Sequence, residues 1–436
     1  MPKIRILILS LLLPLVVQAQ ESRVLSYEEA TEILLRNNFD LLLARTDADL
    51  ARNENNIGNA GFLPRLDIQS SGSYASNNTR QKFSNGQEVN KNAVATRNFV
   101  GGAYLSYTLF NGFRAYATKR RLELLQEQGE LNFSIQVENA LEQLTLLYYQ
   151  IVRQEQYIRG LQTALDVADA RLALAEKKKA VGNGSNVEVL QAKLDRNGIK
   201  SGLIAQRSQL KQFHRSLALL LQADSLGSFQ VDTQFRFEPM QSFESLKEKI
   251  EQLNPGLLFA DKSLQIDREM LREIRAERYP RLDINSQYQF NRNQNAAGFS
   301  LFNQNLGFAT GFTLSWNVFN GYRNRTRLKS AELSQTANRL RREKLSATLH
   351  AEAFNAYAQW VADRKALALE EENIALAEQS LFIMLERMKI GLGNYLETKE
   401  SQQAYQEAVT RLVNARYALK SSETRLRRIS GVFIRP

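Results

Sequence analysis

The chain repeats itself, and that duplication constrains its fold more tightly than any other property. Pro64-Arg65-Leu66-Asp67-Ile68 recurs as Pro280-Arg281-Leu282-Asp283-Ile284. Leu105-Ser106-Tyr107-Thr108-Leu109-Phe110-Asn111-Gly112-Phe113-Arg114 recurs as Leu314-Ser315-Trp316-Asn317-Val318-Phe319-Asn320-Gly321-Tyr322-Arg323. Residues 182–188 return as 391–397, keeping the first and third glycines and the acidic seventh residue, and Asn38 is matched by Asn254. Ordered matches at a nearly constant offset make the protein a tandem duplication of a unit of roughly 200 residues. The first repeat is expected over residues 20–230 and the second over 231–436.

Each unit reads alike. A short helix, near 27–36 or 243–252, ends at Asn37-Asn38 or at Asn254-Pro255. A second helix runs to Ala60 or Arg278, where the coming proline stops it. Two amphipathic strands follow. Leu66, Ile68 and Tyr74 alternate with Arg65, Asp67, Gln69, Ser71 and Ser73, while Leu282, Ile284, Tyr288 and Phe290 alternate with Arg281, Asp283, Asn285, Gln287 and Gln289. The fourth strand sets Phe308, Phe312, Leu314, Trp316 and Val318 against small or polar neighbours. Polar, Asn-rich loops are expected over 76–98 and 291–305. A proline-free helix then runs over 114–181 and again over 323–390. Some 68 residues of helix reach about 100 Å. Each long helix turns at a glycine pair and returns as helix, to about residue 223 or 428, and Ala-rich stretches such as 164–175 permit close coiled-coil packing.

Composition narrows the setting. Lys3 and Arg5, an apolar run over 6–17 and Val17-Gln18-Ala19 read as a secretory leader over residues 1–19. The run is well short of the ~20 residues that a membrane-spanning helix needs. With no cysteine there is no disulfide framework, thiolate metal site or acylated N-terminal residue. The two histidines, His214 and His350, lie in different halves on helical stretches and read as packing residues. The net charge of +11, or +9 without the leader, is spread among glutamates and forms no nucleic-acid patch. Beyond the leader no stretch is apolar enough for a transmembrane helix, so any membrane crossing must use β-strands. A soluble half-buried sheet shows the same alternation; the leader and the duplicated layout favour the membrane.

Four strands cannot close a barrel, and open edges are not tolerated in hydrocarbon, so closure must come between copies. Two copies give eight strands, a barrel filled by its own side chains, whereas three give twelve and a usable lumen. The long helices would then project from one end.

The duplicated order of elements resembles the TolC/OprM-like outer-membrane factor family over essentially the whole mature chain. The Pro-Arg-Leu strand starts, the Phe-Asn-Gly strand ends and the Gly-x5-acidic turns carry the likeness. It implies a mainly α protein with transmembrane β: a homotrimer with a twelve-stranded β-barrel continuous with a long periplasmic α-helical barrel. The implied location is the outer membrane of a Gram-negative bacterium, with most of the chain in the periplasm. The implied function is the exit duct of a tripartite efflux system for small toxic molecules or drugs. Its partners would be a periplasmic adaptor, an inner-membrane transporter and outer-membrane lipid, with no cofactor. A type I protein-secretion exit is the alternative, because the inner-membrane pump selects the cargo. A periplasmic coiled-coil scaffold is the competing reading from another class.

No phosphate loop, nucleophile elbow or Cys/His set supports an enzyme. Asp67 and Asp283, at equivalent positions on polar strand faces, read as lumen-lining. Acidic residues at the family's matching positions line the periplasmic entrance, which assigns Glu188, Glu397 and Glu400 there. In three copies Glu397 and Glu400 would form stacked carboxylate rings favouring cations. The turns at Gly182, Gly184, Gly391 and Gly393 are the expected adaptor contact. In the founding member an aromatic and an arginine flank the second tip glycine and help to lock the pore. Here those positions hold Met388 and Gly393. Lys177, Lys178 and Lys179, with Glu386, Arg387 and Lys389, are the candidates for pairing at the gate.

Overall fold

The computed structural model describes residues 23–223, 229–297, 300–390 and 392–433; the leader at 1–19 lies outside them. In chain order the elements are β1 (Arg23–Leu25), α1 (Tyr27–Asn37), α2 (Phe39–Glu54), β2 (Arg65–Lys82), β3 (Glu88–Phe110), α3 (Arg114–Ala180) and α4 (Asn186–Leu221). There follow β4 (Phe229–Val231), α5 (Phe243–Leu253), α6 (Pro255–Ala276), β5 (Arg281–Asn295), β6 (Phe302–Ser315), α7 (Arg323–Lys389) and α8 (Tyr395–Ser430). From α1 to α4 and again from α5 to α8 the chain runs helix, helix, strand, strand, long helix, return helix. The copies agree in length: α3 and α7 are both 67 residues, α4 and α8 both 36.

The chain forms two compact units, each drawing on both halves of the sequence. One takes the residues up to Phe39, Ala140–Met240 and Tyr357–Arg425. Here β1 and β4 pair in parallel, and buried Tyr148 stitches them: its hydroxyl donates to the Leu25 carbonyl at 2.9 Å and accepts from the Asp232 N–H at 3.1 Å. Sequence reasoning missed this ribbon, because three residues are too few to show alternation. Ser26 caps α1, and buried Asn38 ends it. The Asn38 amide donates to the Leu220 carbonyl in the last turn of α4 at 2.9 Å, satisfying a group that a helix end leaves orphaned.

The other unit takes Asp40–Asn139, Gln241–Ala356 and the residues from Leu426. It repeats the device: Ser242 caps α5, and buried Asn254 ends it and donates to the Ile429 carbonyl in the last turn of α8 at 2.9 Å. This is why the two asparagines recur in the sequence. The unit also holds a fully antiparallel sheet in the order β2-β3-β5-β6.

The sheet departs from expectation in extent. Residues 76–98 were expected to loop, yet β2 and β3 pair through most of them and turn only at 83–87, where the Gly86 N–H donates to the Phe83 carbonyl at 3.0 Å. A ladder needs only backbone groups, so polar side chains do not end it; polarity stood in for disorder. Likewise β5 and β6 pair from Arg281↔Ser315 to Gln294↔Phe302. At the other end β6 stops at Ser315 rather than Val318, because Trp316 leaves the ladder and its indole N–H donates to the Arg278 carbonyl at 3.0 Å. The second helix also ends early, at Glu54 rather than Ala60. Asparagine side chains compete for its backbone: Asn56 Oδ1 accepts from the Asn59 N–H at 2.8 Å, and Asn56 Nδ2 donates to the Asn53 carbonyl at 2.9 Å.

Candidate functional site

Register makes the sheet two-faced. Leu66 pairs with Leu105, Ile284 with Tyr107 and Phe312, Tyr288 with Phe308, and Leu282 with Leu314. Direct partners share a face, so most of the large apolar side chains of the four strands gather on one side. They are uncovered there: Ile68 is 86% exposed and Phe312 79%. The opposite face joins Asp67 with Tyr104, Asp283 with Thr108 and Thr313, and Asn285 with Ser106. Arg65 pairs with Asp67, and Arg281 with Asp283, each at 2.8 Å. The duplicated Arg-x-Asp motif is thus a repeated surface ion pair, and Thr108 Oγ1 donates to Asp283 at 2.7 Å. Edges β2 and β6 each keep one side without a strand partner among the described residues. No described helix is long and apolar enough to cross a membrane.

At the helix turns the glycine spacing has a steric cause. α3 closes with the Gly182 N–H on the Lys179 carbonyl at 3.1 Å and the Asn183 N–H on the Lys178 carbonyl at 2.9 Å. This closure puts Gly182 at φ +78°. A Cβ on Gly184 would stand 2.8 Å from the Lys179 nitrogen, and one on Gly393 2.8 Å from the Met388 backbone. Both third-position glycines therefore let a return helix start against the end of its long helix. Gly391 lies outside the described residues. Ser185 caps α4 through the Val187 N–H and Asn394 caps α8 through the Leu396 N–H, each at 3.0 Å. Glu188 and Glu397 accordingly occupy first turns, where the helix dipole favours a carboxylate. Glu397 and Glu400 are exposed and Glu188 half-buried. Among the gate candidates, Lys179 donates to Asn186 at 2.8 Å and Lys389 pairs with Glu386 at 2.6 Å. Lys177, Lys178 and Arg387 make no ion pair among the described residues, and Met388 is buried.

Beside these turns lies a charged cluster that the sequence reading missed. Arg171 on α3, its side chain 2% exposed, donates to Asp195 on α4 at 2.9 Å and to Gln402 on α8. Lys399 and Tyr395, also on α8, donate to the same carboxylate at 3.1 and 2.8 Å, and the Arg171 guanidinium lies 4.6 Å over the Tyr395 ring. Burial pushes the Asp195 carboxyl up, but the hydrogen bonds from Tyr395, Lys399 and Arg171 outweigh it and hold its pKa below the usual range. Burial likewise raises the Tyr395 phenol. The cluster borders a 540 Å³ cleft that also takes in Tyr157, Glu407 and Arg411. No motif could have announced it, since Arg171 stands 24 residues from Asp195 and 231 from Gln402. Both histidines are packing residues: His350 bonds Glu251 at 2.8 Å, and His214 stacks on Phe229 with centroids 5.1 Å apart. No cluster of metal-ligating side chains occurs among the described residues.

The sequence model of the outer membrane efflux protein family matches residues 31–222 and 246–432, one match to each copy of the repeated element order. The chain belongs to that family. As an outer membrane efflux protein it is a transport channel of the outer membrane, and not an enzyme. It is 24% identical to the cation efflux system protein CusC of Escherichia coli K12 over 420 residues, 90% of this chain and 83% of that one. To the alkaline protease secretion protein AprF of Pseudomonas aeruginosa it is 29% identical over 167 residues, 38% of this chain and 33% of the other. The crystal structure of the Campylobacter jejuni CmeC outer membrane channel superposes with a TM-score of 0.76 at 17% identity, covering 93% of this chain and 85% of that chain. The fold is therefore that of the TolC-like outer-membrane channels.

Proposed function

We propose that three copies of the mature chain close into a duct, the exit of a tripartite efflux system that passively conducts small toxic molecules or drugs. The observation that carries this is the sheet: four strands, one predominantly apolar exposed face and two edges without a strand partner among the described residues. Such a sheet is stable in hydrocarbon only when the β6 edge of one copy meets the β2 edge of the next. The helices reach a periplasmic adaptor and an inner-membrane transporter through the turns at Gly182, Gly184, Gly391 and Gly393. Glu188, Glu397 and Glu400 line the entrance, and Lys178 and Arg387, without ion pairs among the described residues, pair between copies to close it. Similarity to CusC along nearly the whole chain supports efflux. A role in protein secretion is the second reading, supported by the shorter match to AprF.

Planar-bilayer recording tests the duct. The purified protein should conduct with a preference for cations, and E397Q/E400Q should keep conductance while losing that preference. A protein that inserts without conducting sinks the duct, whereas unchanged selectivity in the variant sinks only the carboxylate rings.

A further inference from the structure

At the helix end of the sheet, the two strand-to-helix turns share an unusual backbone. Gly112 and Phe113 both have positive φ, +68° and +67°, and so do Gly321 and Tyr322, at +66° and +65°. Glycine takes this conformation freely, but a bulky aromatic residue rarely does. In return each turn holds an aromatic ring outward: Phe113 is 64% exposed and Tyr322 66%. Each also sets that ring edge-on to the last aromatic before the turn, Phe110–Phe113 at 5.4 Å and Phe319–Tyr322 at 5.5 Å, both with planes at 87°. Phe110 pairs with Leu282 on the apolar face of the sheet. The outward rings therefore continue that face to its helix-side rim, where aromatic residues settle at the headgroup level of a bilayer.

Directly behind the first turn is a pocket of 310 Å³. Phe113, Tyr116 and Tyr279 form its aromatic wall, and Arg120, Arg272 and Arg275 face them with Glu269 as the one acidic residue. Arg120 spends part of its charge on Glu123 and Arg272 part on Glu269. Arg275 makes no ion pair among the described residues. The pocket exists because Gly112 meets the end of α6: a Cβ there would stand 2.5 Å from the Ala276 carbonyl. It sits at the junctions of β3 with α3 and of α6 with β5, in the middle of the sheet order, so joining copies along β2 and β6 leaves it open.

We propose that this pocket binds the phosphate of an anionic phospholipid of the periplasmic leaflet, with the arginines on the phosphate and the aromatic wall against the glycerol and upper acyl carbons. The proposal rests on the duct reading for the placement of the sheet in the membrane. Its chemistry is a charge match: an excess of guanidinium, one of them without an ion pair among the described residues, opening onto a face that only lipid covers. A phosphodiester on an apolar tail satisfies both halves of such a site, and a free anion satisfies only one.

The full-length protein, purified in detergent and placed in phosphatidylcholine nanodiscs, is titrated with phosphatidylglycerol while native mass spectrometry counts retained lipid. One saturable phosphatidylglycerol per chain is expected. R272A/R275A should weaken it about thirty-fold, the effect of two basic side chains at a membrane surface, and R272K/R275K should retain much of the affinity. Equal retention by R272A/R275A overturns the proposal, as does displacement by millimolar inorganic phosphate, which would assign the pocket to a free anion. Bilayer conductance of the same samples separates the two ideas. A variant that conducts normally but has lost the lipid supports the site, and a wild type that conducts without retaining any defeats the site while the duct stands.

Discussion

Asp195 is the residue on which three helices depend. Arg171 is buried, so its guanidinium relies on Asp195 and Gln402 rather than on water. Breaking a buried pair by removing one partner typically costs about 3–5 kcal/mol. Asp195 is itself partly exposed, so D195A should lie at or below the lower end of that range. D195N, which keeps an acceptor and loses the charge, should cost less. Hydrogen exchange around residues 171, 195 and 399 would report the loss, and unchanged protection in D195A would show the cluster to be idle. The contribution also has a pH signature. The folded Asp195 has a lowered pKa, so the unfolded chain takes up a proton first as pH falls. The stabilisation is complete at neutral pH and disappears as pH drops through the lowered pKa. Protection should therefore fall selectively here in acid, and D195N should flatten that dependence.

Among elements, the pairing of long helix with return helix turns on small residues. A Cβ on Gly160 of α3 would stand 2.5 Å from Cγ1 of Val409 on α8, a β-branched side chain with little freedom to move aside. Val409 belongs to a cluster with Val167, Leu381, Tyr405 and Val413. G160A should therefore overpack the seam at a cost of about 1–3 kcal/mol, and V409A should recover most of it. Additive losses in the double variant, measured by thermal unfolding, would mean that the two residues do not meet. The sequence disclosed much at this scale. Prolines marked the strand starts, Asn38 and Asn254 marked the helix junctions, and equal spacing marked the tips. It failed where the decisive contact lies between distant positions. Gly160 read as a mere interruption in a helical run because Val409 lies in the other repeat. The Asp195 cluster was invisible for the same reason, and the length of β2 and β3 was hidden because asparagine-rich strands look like loops.

For the molecule as a whole, insertion, barrel closure and assembly are a single event on the proposed duct. A sheet with two open edges has no stable place in hydrocarbon by itself, so one copy cannot insert and wait for its neighbours. Any penalty on the lipid-facing side is then levied once per chain on one cooperative step, while the polar side escapes it. Phe312 and Gln287 separate these cases, since Phe312 pairs with Ile284 on the apolar face and Gln287 with Ala309 on the other. F312R should cost about 2–4 kcal/mol per copy if it meets the bilayer midplane, less if it lies nearer an interface. Over three copies that is enough to empty the outer-membrane fraction of assembled protein. Q287R, facing water, should assemble normally and alter only the ionic selectivity of the lumen. Heat-sensitive oligomer bands from washed outer membranes would distinguish them. Equal assembly of both variants would mean that lipid does not cover the apolar face, and the exposed aromatics would need another partner. Loss of both would place Gln287 in hydrocarbon as well, which no twelve-stranded barrel with a watery lumen allows.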